Sequence, residues 1–522
     1  MTATRTMARA GMIVSGAFLI SRTLGWVRLV VIGNTVGATA DLDAFYAAFR
    51  IPDLIFQLVA AGALSSALIP IVSGLLATDG SARAWRVVST VADLMLVGLA
   101  VLGVLMFILA PTLVPIIAPG FDGATLATTI DLTRIMLIST VSLAMGAVAT
   151  SILNASGRFA AAAVAPSVYN LAIIGATLLL YPSMGITGVA VGVVAGALGH
   201  VLVQLPPLRQ VGFRYTPTID ATDPAARKAL GLMVPRAIGL GASQITFVVV
   251  TSIATTLGVG AVAAFTVAFT LLQIPIGVIG VPLGVVLMPS LSREVATGRE
   301  AEYVALLTRA LRVIVFVMLP ISALAAILRS EMVAVLFGYG FSADAIALTA
   351  STLLAFVVGL VAHSLIAVLA RAFYARQDTL TPVLVAIGAV IVNTSLAFAL
   401  VGPLGLPGVA LAIAIAAWLE ASTLALLLHR RNADLHYGII GRTALLTGGA
   451  TALAAVAGVI VRGVVVDATA GFPRVIGLVL VLGGVTVAFG VVFLVAARAL
   501  RIAELPAIVG LMVDSIRRPG RS

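Results

Sequence analysis

Long apolar runs return along almost the whole chain, near 10–36, 43–77, 85–118, 126–153, 160–182, 185–208, 228–257, 262–289, 305–328, 345–370, 380–401, 405–428, 440–466 and 474–500. A helix needs about 20 apolar residues to cross a bilayer core. Inside lipid each backbone N–H and C=O must be satisfied by the chain itself, which leaves helices or closed barrels. A membrane barrel alternates apolar and polar residues in short stretches, and these runs do not. The sequence therefore predicts an all-α polytopic membrane protein with fourteen transmembrane helices. Charged residues make up 10% of the chain, against about 25% in ordinary soluble domains. Run 43–77 exceeds one span, so a kink or tilt is expected there. Arginines precede the first run, but no small-residue cleavage site closes it; it reads as a first membrane helix, not a removed signal peptide. The absence of cysteine excludes a disulfide framework and a thiolate metal centre.

The net charge of +11 is mostly topology. An even helix count puts both ends on one side, and most of the 31 basic residues fall on that side, among them Arg83, Arg86, Arg158, Arg214, Arg227, Arg293, Arg299, Arg376, Arg430 and Arg431. The opposite side holds Arg329, Arg462 and Arg474, with Arg134 near it. Basic loops stay in the cytoplasm, so both termini are expected there, in a bacterial cytoplasmic membrane. No nucleic-acid footprint is needed to explain the charge.

The chain also repeats itself. "AFYAAF" (44–49) returns as "AFTVAF" (264–269), "LIPIVS" (68–73) as "LMPSLS" (287–292), and "GITGVAVG" (185–192) as "GLPGVALA" (405–412), at offsets of 220, 219 and 220 positions. Six helices return the chain to its starting side, so the two copies would be parallel repeats, with a substrate path between them near the midplane. The expected organisation is a six-helix lobe over 1–208, a cytoplasmic linker over 209–227, a second six-helix lobe over 228–430, two extra helices over 440–500, and a basic tail over 501–522. The tail reads as an interfacial amphipathic helix that anchors to anionic membrane lipids.

Charges inside the membrane carry the functional signal. In "SRTLGWVR" (21–28) Arg22 and Arg28 interrupt an apolar run, and Arg50 follows in the next. At 1.5 Å per residue, Arg28 and Arg50 lie roughly 13 and 10 Å from the outer surface and Arg22 roughly 22 Å. Each costs about 2.5–3.5 kcal/mol at mid-helix if lipid-exposed, so all three must face protein or water. One reading is structural: Asp53 pairs with Arg50, and Asp41 and Asp43 reach Arg28, which leaves Arg22 alone. The other is a cation-lined aqueous cavity for an anion, because guanidinium meets phosphate bidentately and never deprotonates. A second group, Asp93, Arg236 and Glu420, falls at one depth, roughly 12–14 Å from the inner surface. It reads as an inner gate of ion pairs or as separate charges facing water. Prolines and glycines at Gly25, Pro52, Gly62, Pro70, Pro166, Pro235, Pro275, Pro282 and Pro289 serve either hinges or simple curvature. No HExxH, phosphate-binding loop, GxSxG or acidic metal cluster appears, so no catalytic residues and no metal are assigned. His363, mid-helix, reads as a packed polar residue.

At "SRTLGWVR", "DAFYAAFRIPD" (43–53), "LNASGRFAAAAVAPSVYN" (153–170), "IPIGVIGVPLGVVLMPSLS" (274–292) and "ARAFYARQDTLTP" (370–382) the chain resembles the MurJ/MviN family of lipid II flippases in the MOP superfamily. The last stretch, with Arg371, Tyr374, Arg376, Thr381 and Pro382, is the most specific. The resemblance implies a MATE-like V of two lobes, a central cationic cavity, and a groove for the lipid tail formed partly by the last two helices. It implies a flippase rather than an enzyme, acting on lipid II or a related polyprenyl-pyrophosphate glycolipid, with cell-wall synthesis machinery as a further partner. Arg22 and Arg28 match the family's functional first-helix arginines, and Asp43 its outer-gate aspartate.

The chain also departs from that pattern. Leu29, Phe56, Ala61 and Thr270 stand where well-studied members carry an acid, an arginine, a glutamate and an arginine. Asn393 is followed one turn later by Ala397, which puts the family's sodium site in doubt and leaves membrane potential or an ion gradient as the drive. No cofactor is expected. Three other readings stay open beside the flippase: a carrier of another polyprenyl-linked saccharide, a MATE-like exporter, and a transport-inactive cell-wall scaffold. A membrane enzyme on polyprenyl lipids would need an acidic metal site or a catalytic loop, and neither is visible.

Overall fold

The computed structural model describes residues 2–59, 63–220, 222–431 and 437–506; the basic end of the tail lies outside them. The runs read from the sequence fall on helices. They are α1 (Thr2–Val36), α2 (Ala40–Ala48), α3 (Arg50–Val59), α4 (Ala63–Thr78), α5 (Ser81–Ile117), α6 (Gly123–Ala155), α7 (Phe159–Leu179), α8 (Tyr181–Met184), α9 (Ile186–Leu202), α10 (Leu205–Gln210), α11 (Pro224–Thr255), α12 (Ala261–Pro275), α13 (Val281–Ala296), α14 (Glu300–Phe337), α15 (Ala343–Val357), α16 (Leu360–Ala375), α17 (Leu380–Arg431), α18 (Tyr437–Ala468) and α19 (Arg474–Ala499), with a π turn at Ile276–Gly280. Among the described residues nine helices are long and apolar enough to cross a membrane, or ten if α15 and α16, bent by 45°, form one broken span. Large apolar side chains such as Val101, Ile108, Leu179, Leu445 and Val495 are more than half exposed, as a lipid-facing surface requires.

Two compact units divide the chain, Met1–Ala263 with Tyr339–Phe341, and Ala264–Gly338 with Ser342–Ser522. In the first, α1 lies along α7, α7 along α9 and α9 along α6, while α11 packs on α3, α4 and α5. Its core gathers Leu64, Leu68, Trp85, Met95, Leu137 and Ile152. In the second, α14 meets α15, α16 and α18, and α18 pairs with α19 around Phe316, Phe489 and Phe493. Arg312 to Glu504 and Arg462 to Glu331, at 2.5 and 2.6 Å, tie this unit's helices by ion pairs.

At helix breaks neighbouring side chains take up the backbone groups that are freed. Pro52 has no N–H for the Ala48 carbonyl one turn back. The Thr133 hydroxyl of α6 lies 3.4 Å from that oxygen and 2.7 Å from the Thr129 carbonyl of its own helix. At the bend between α15 and α16, Ser322 donates to the Val357 carbonyl and the Trp418 indole to that of Val358, at 2.5 and 2.9 Å. Pro275 and Pro282 flank the π turn. Such side-chain partners are how a membrane helix tolerates a broken backbone ladder.

The 220-residue offset is visible in local geometry. Gly185 has φ 59 and ψ −147, and Gly405 has φ 60 and ψ −141, a conformation that glycine adopts without strain. In α17 this residue is the kink at which two predicted spans meet. Three residues on, a Cβ on Gly188 would lie 2.8 Å from the Leu180 backbone, and one on Gly408 would lie 2.3 Å from the Leu400 carbonyl oxygen. The ring pairs Phe45–Phe49 and Phe265–Phe269 sit at 6.3 and 6.0 Å. Gly157 and Gln377, also 220 positions apart, both take a left-handed φ, 72 and 61. Gly408→Ala should therefore destabilise the protein by about 1–3 kcal/mol or more, as overpacking against rigid backbone does. The amount of protein in the membrane and its melting temperature in detergent check this; a wild-type melting point would contradict the close approach.

Candidate functional site

Asp43, Tyr46, Arg50 and Asp53 are spaced i, i+3, i+7 and i+10 through α2 and α3, which puts them on one face of that stretch. At the outer end Asp43 is 1% exposed and caps the start of α12. Its two carboxylate oxygens accept the backbone N–H groups of Gly260 and Ala263, at 2.6 and 2.8 Å. An acid at a helix N-terminus is favoured by the unpaired donors and by the helix dipole. The sequence reading aimed Asp43 at Arg28; the structure gives it backbone partners. Asp41 beside it is exposed. Nearby in the same unit, the Asn34 side chain accepts from the N–H groups of Tyr339 and Gly340, and Gly37 lies too close to the Gly340 carbonyl for any Cβ.

About two turns in from Asp43 the charges gather. Arg50 donates through Nε to the Thr251 hydroxyl at 2.8 Å and stands over the Phe247 ring at 5.5 Å. Asp53 accepts from the Gln244 amide at 2.9 Å. Arg50, Asp53, Leu54, Gln244, Phe247 and Val248 line a small cleft. The expected Arg50–Asp53 ion pair is not among the pairs within 4 Å; α11 supplies each residue with its own partner. Arg28 of α1 stands over the Tyr169 ring of α7 at 5.7 Å. The Tyr46 hydroxyl lies within electrostatic range of Arg28, Arg50 and Asp43, and that of Tyr169 within range of Arg28 and Asp53. Arg28 and Arg50 thus both lie within electrostatic range of Tyr46, in the first unit. Arg22 is half-buried and makes no ion pair, hydrogen bond or ring contact among the described residues. Six residues from Arg28, it projects from α1 about 120° away. Beside it, Asn170 donates to the Ser21 carbonyl at 3.2 Å.

The proposed inner group resolves differently. Asp93 is 6% exposed and accepts from the Tyr215 hydroxyl and the Thr218 N–H, at 2.5 and 2.9 Å, while Ser89 accepts from the Thr216 N–H. The 213–223 loop is thus strapped along α5, with Phe213 edge-on to Trp85 and Arg83 paired to Asp223 at 2.6 Å. Glu420 is half-buried on α17 without a hydrogen-bond or ion-pair partner among the described residues. The Arg236 side chain lies outside the described residues. Asn393 is buried with its Oδ1 unpartnered, and buried Ala397 offers no ligand beside it.

The 370–382 stretch forms a capping knot. Asp378 accepts from the N–H and hydroxyl of Thr381, at 2.9 and 2.7 Å, and from Arg431 at 2.5 Å, so it fixes the start of α17 to its far end. Arg376 pairs with Glu300 and stands over the Tyr303 ring at 4.6 Å. Arg371 lies along Gly284, where a Cβ would come within 2.7 Å of its Cδ. Tyr374 is exposed, and Pro382 is buried in the first turn of α17. Burial pulls the Asp378 carboxyl upward, but Thr381 and Arg431 prevail and hold it at about 2. Its stabilising effect is complete above the ordinary carboxylate range and is lost only as pH falls toward 2.

The sequence pattern described as "Lipid II flippase MurJ" matches residues 32–476. The chain belongs to the MurJ family. This MurJ-family chain is 34% identical over 433 residues to the lipid II flippase MurJ of Burkholderia cenocepacia, covering 81% of itself and 84% of that relative. It is 33% identical to a probable lipid II flippase MurJ of Rhizobium tropici, covering 83% of each. In fold it resembles a lipid II flippase MurJ solved in an inward closed conformation, with a TM-score of 0.78, 21% identity, and coverage of 94% of this chain and 99% of that one. A multidrug-resistance MATE family transporter of the MOP superfamily, in an inward-facing conformation, follows at a TM-score of 0.68 and 19% identity, with 80% and 98% covered. The MurJ-family chain is thus a multi-span helical membrane protein of the MOP fold. Its family is defined by lipid transfer, not by catalysis of a chemical reaction.

Tyr46, Tyr169, Gln244, Phe247 and Thr251 were not singled out from the sequence. Only the spacing of Tyr46 between Asp43 and Arg50 could have flagged one of them.

Proposed function

We propose that this chain moves lipid II, or a closely similar undecaprenyl-pyrophosphate glycolipid, from the cytoplasmic to the outer leaflet by alternating access. Family membership supplies the activity. The observation that carries the reading to residues is that Arg28 and Arg50, within electrostatic range of one tyrosine, have no carboxylate within 4 Å among the described residues and rest on aromatic rings. Two guanidinium groups suit a pyrophosphate, and Arg22 would meet the headgroup deeper on its route. A cation exporter would want free carboxylates, whereas Asp43 and Asp53 are already engaged by N–H donors. The lobes would be 1–208 and 228–430, with 440–500 taking the lipid tail. The decisive experiment is replacement of a depleted lipid II flippase in bacteria: growth and lipid II accessibility on the outer surface should be restored. Failure by a well-inserted protein would point to another polyprenyl-linked saccharide or to a scaffold.

The orientation belongs to this reading: both termini face the cytoplasm of the bacterial inner membrane. The wider stretch 208–228, with Arg209, Arg214, Arg227 and Lys228, supports this by the positive-inside rule. A cysteine replacing exposed Arg214 should be shielded from impermeant thiol reagents in intact cells, while one replacing exposed Asp344 should react. Reversed labelling would overturn the topology.

A further inference from the structure

The Tyr46 hydroxyl is a polar group for which the mechanism so far has no use. Its oxygen is shielded from solvent and has no hydrogen-bond partner among the described residues. Shielding a hydroxyl without a partner is disfavoured, since its hydration is lost and nothing replaces it. The side chain is anchored, with its ring against Phe45 at 5.7 Å, on the face of α2 that continues into Arg50.

Its surroundings say what kind of group it would bind. Arg28 and Arg50 both act on this oxygen, and both guanidinium groups are held by other contacts, over Tyr169 and over Phe247 with Thr251. A guanidinium has five donors and no acceptor. The phenol adds a neutral O–H donor one turn before Arg50 on the same face. The partner that such a set lacks is a multivalent anion with several acceptor oxygens. Resting on the flippase reading above, we propose that Tyr46 donates its hydroxyl hydrogen to the pyrophosphate of the transported lipid, completing the anion site of Arg28 and Arg50. The hydroxyl then distinguishes a phosphorylated headgroup from a neutral one, because a phosphate oxygen replaces its missing partner.

Purified protein in nanodiscs provides the test, with undecaprenyl pyrophosphate and undecaprenol as the probes. Tyr46→Phe removes one oxygen that bonds to nothing in the protein, so the variant should melt at or above the wild-type temperature. Its affinity for undecaprenyl pyrophosphate should fall about tenfold, while its affinity for undecaprenol stays unchanged. Arg28→Ala is the parallel arm. If Arg28→Ala loses pyrophosphate binding and Tyr46→Phe keeps it in full, the Tyr46 proposal fails and the anion site stands. If neither variant loses it, the anion site fails with it. A second measurement keeps the wild-type fold: with 3-fluorotyrosine incorporated, the fluorine resonance of Tyr46 should shift on adding undecaprenyl pyrophosphate and not undecaprenol. A resonance that ignores both lipids overturns the proposal.

Discussion

Arg28→Ala should abolish flipping while leaving the protein inserted at its normal level. Arg28 has no ion-pair partner within 4 Å among the described residues, only the Tyr169 ring beneath it. Its removal therefore leaves no buried carboxylate stranded, the usual reason such a change unfolds a protein. On the function proposed above, what is lost is bonding to the headgroup: two charge-assisted hydrogen bonds, each worth about 1.5–3 kcal/mol. That corresponds to a loss of about a hundredfold or more in pyrophosphate affinity. Arg28→Lys keeps the charge but not the planar fork, so partial activity is expected. Complementation of flippase-depleted cells, with the protein level measured by immunoblot, reads the outcome. A stable alanine variant that flips lipid II at the wild-type rate would remove Arg28 from the mechanism.

Asp43→Asn should clearly destabilise the first unit. Each Asp43 oxygen holds a backbone N–H at the start of α12, and the residue is 1% exposed. An asparagine offers one acceptor and sets an NH₂ group against the other donor. The cost is about 2–3 kcal/mol, the loss of a charge-assisted cap plus a buried unsatisfied donor. The melting temperature in detergent should drop by several degrees, and Asp41→Asn, at an exposed position one residue before Leu42, should leave it unchanged. Equal melting points for the two variants would show that the cap contributes nothing.

The fold was largely legible because the constraint on it is one-dimensional. A run of apolar residues in lipid has few backbone options, so its length and spacing alone predict helices, and the repeat adds register. Gly185 and Gly405 could be matched from "GITGVAVG" and "GLPGVALA" without knowing what glycine does there; the structure adds the shared left-handed turn. Partners across the chain were less legible. Arg50 and Asp53 are one turn apart and look like a pair, yet their hydrogen bonds go to Thr251 and Gln244, 201 and 191 positions away. Neutral donors and rings leave no mark in a single sequence, whereas charges do, so cations were found and their company was not. Asp93 was legible as a buried acid but not as the anchor of the 213–223 loop, because Tyr215 and Thr218 sit in a stretch with no periodicity to read.

The proline at position 52 separates two jobs along one stretch. Asp43 and Tyr46 ride on α2, while Arg50 and Asp53 ride on α3, and the Ala48 carbonyl between them has no proline N–H to hold it. Flexing an unbroken helix at that level would rupture a main-chain bond in a medium with no water to repair it. Among the described residues the Ala48 carbonyl is met by the Thr133 hydroxyl at 3.4 Å, whose proton also has the Thr129 carbonyl at 2.7 Å. The Asp53 N–H donates to the Phe49 carbonyl at 2.9 Å across the break. One main-chain bond is thus replaced at this level by a contact that the spin of one hydroxyl makes or breaks, so a bend between the acid that clasps α12 and Arg50 costs less than it would in an unbroken helix.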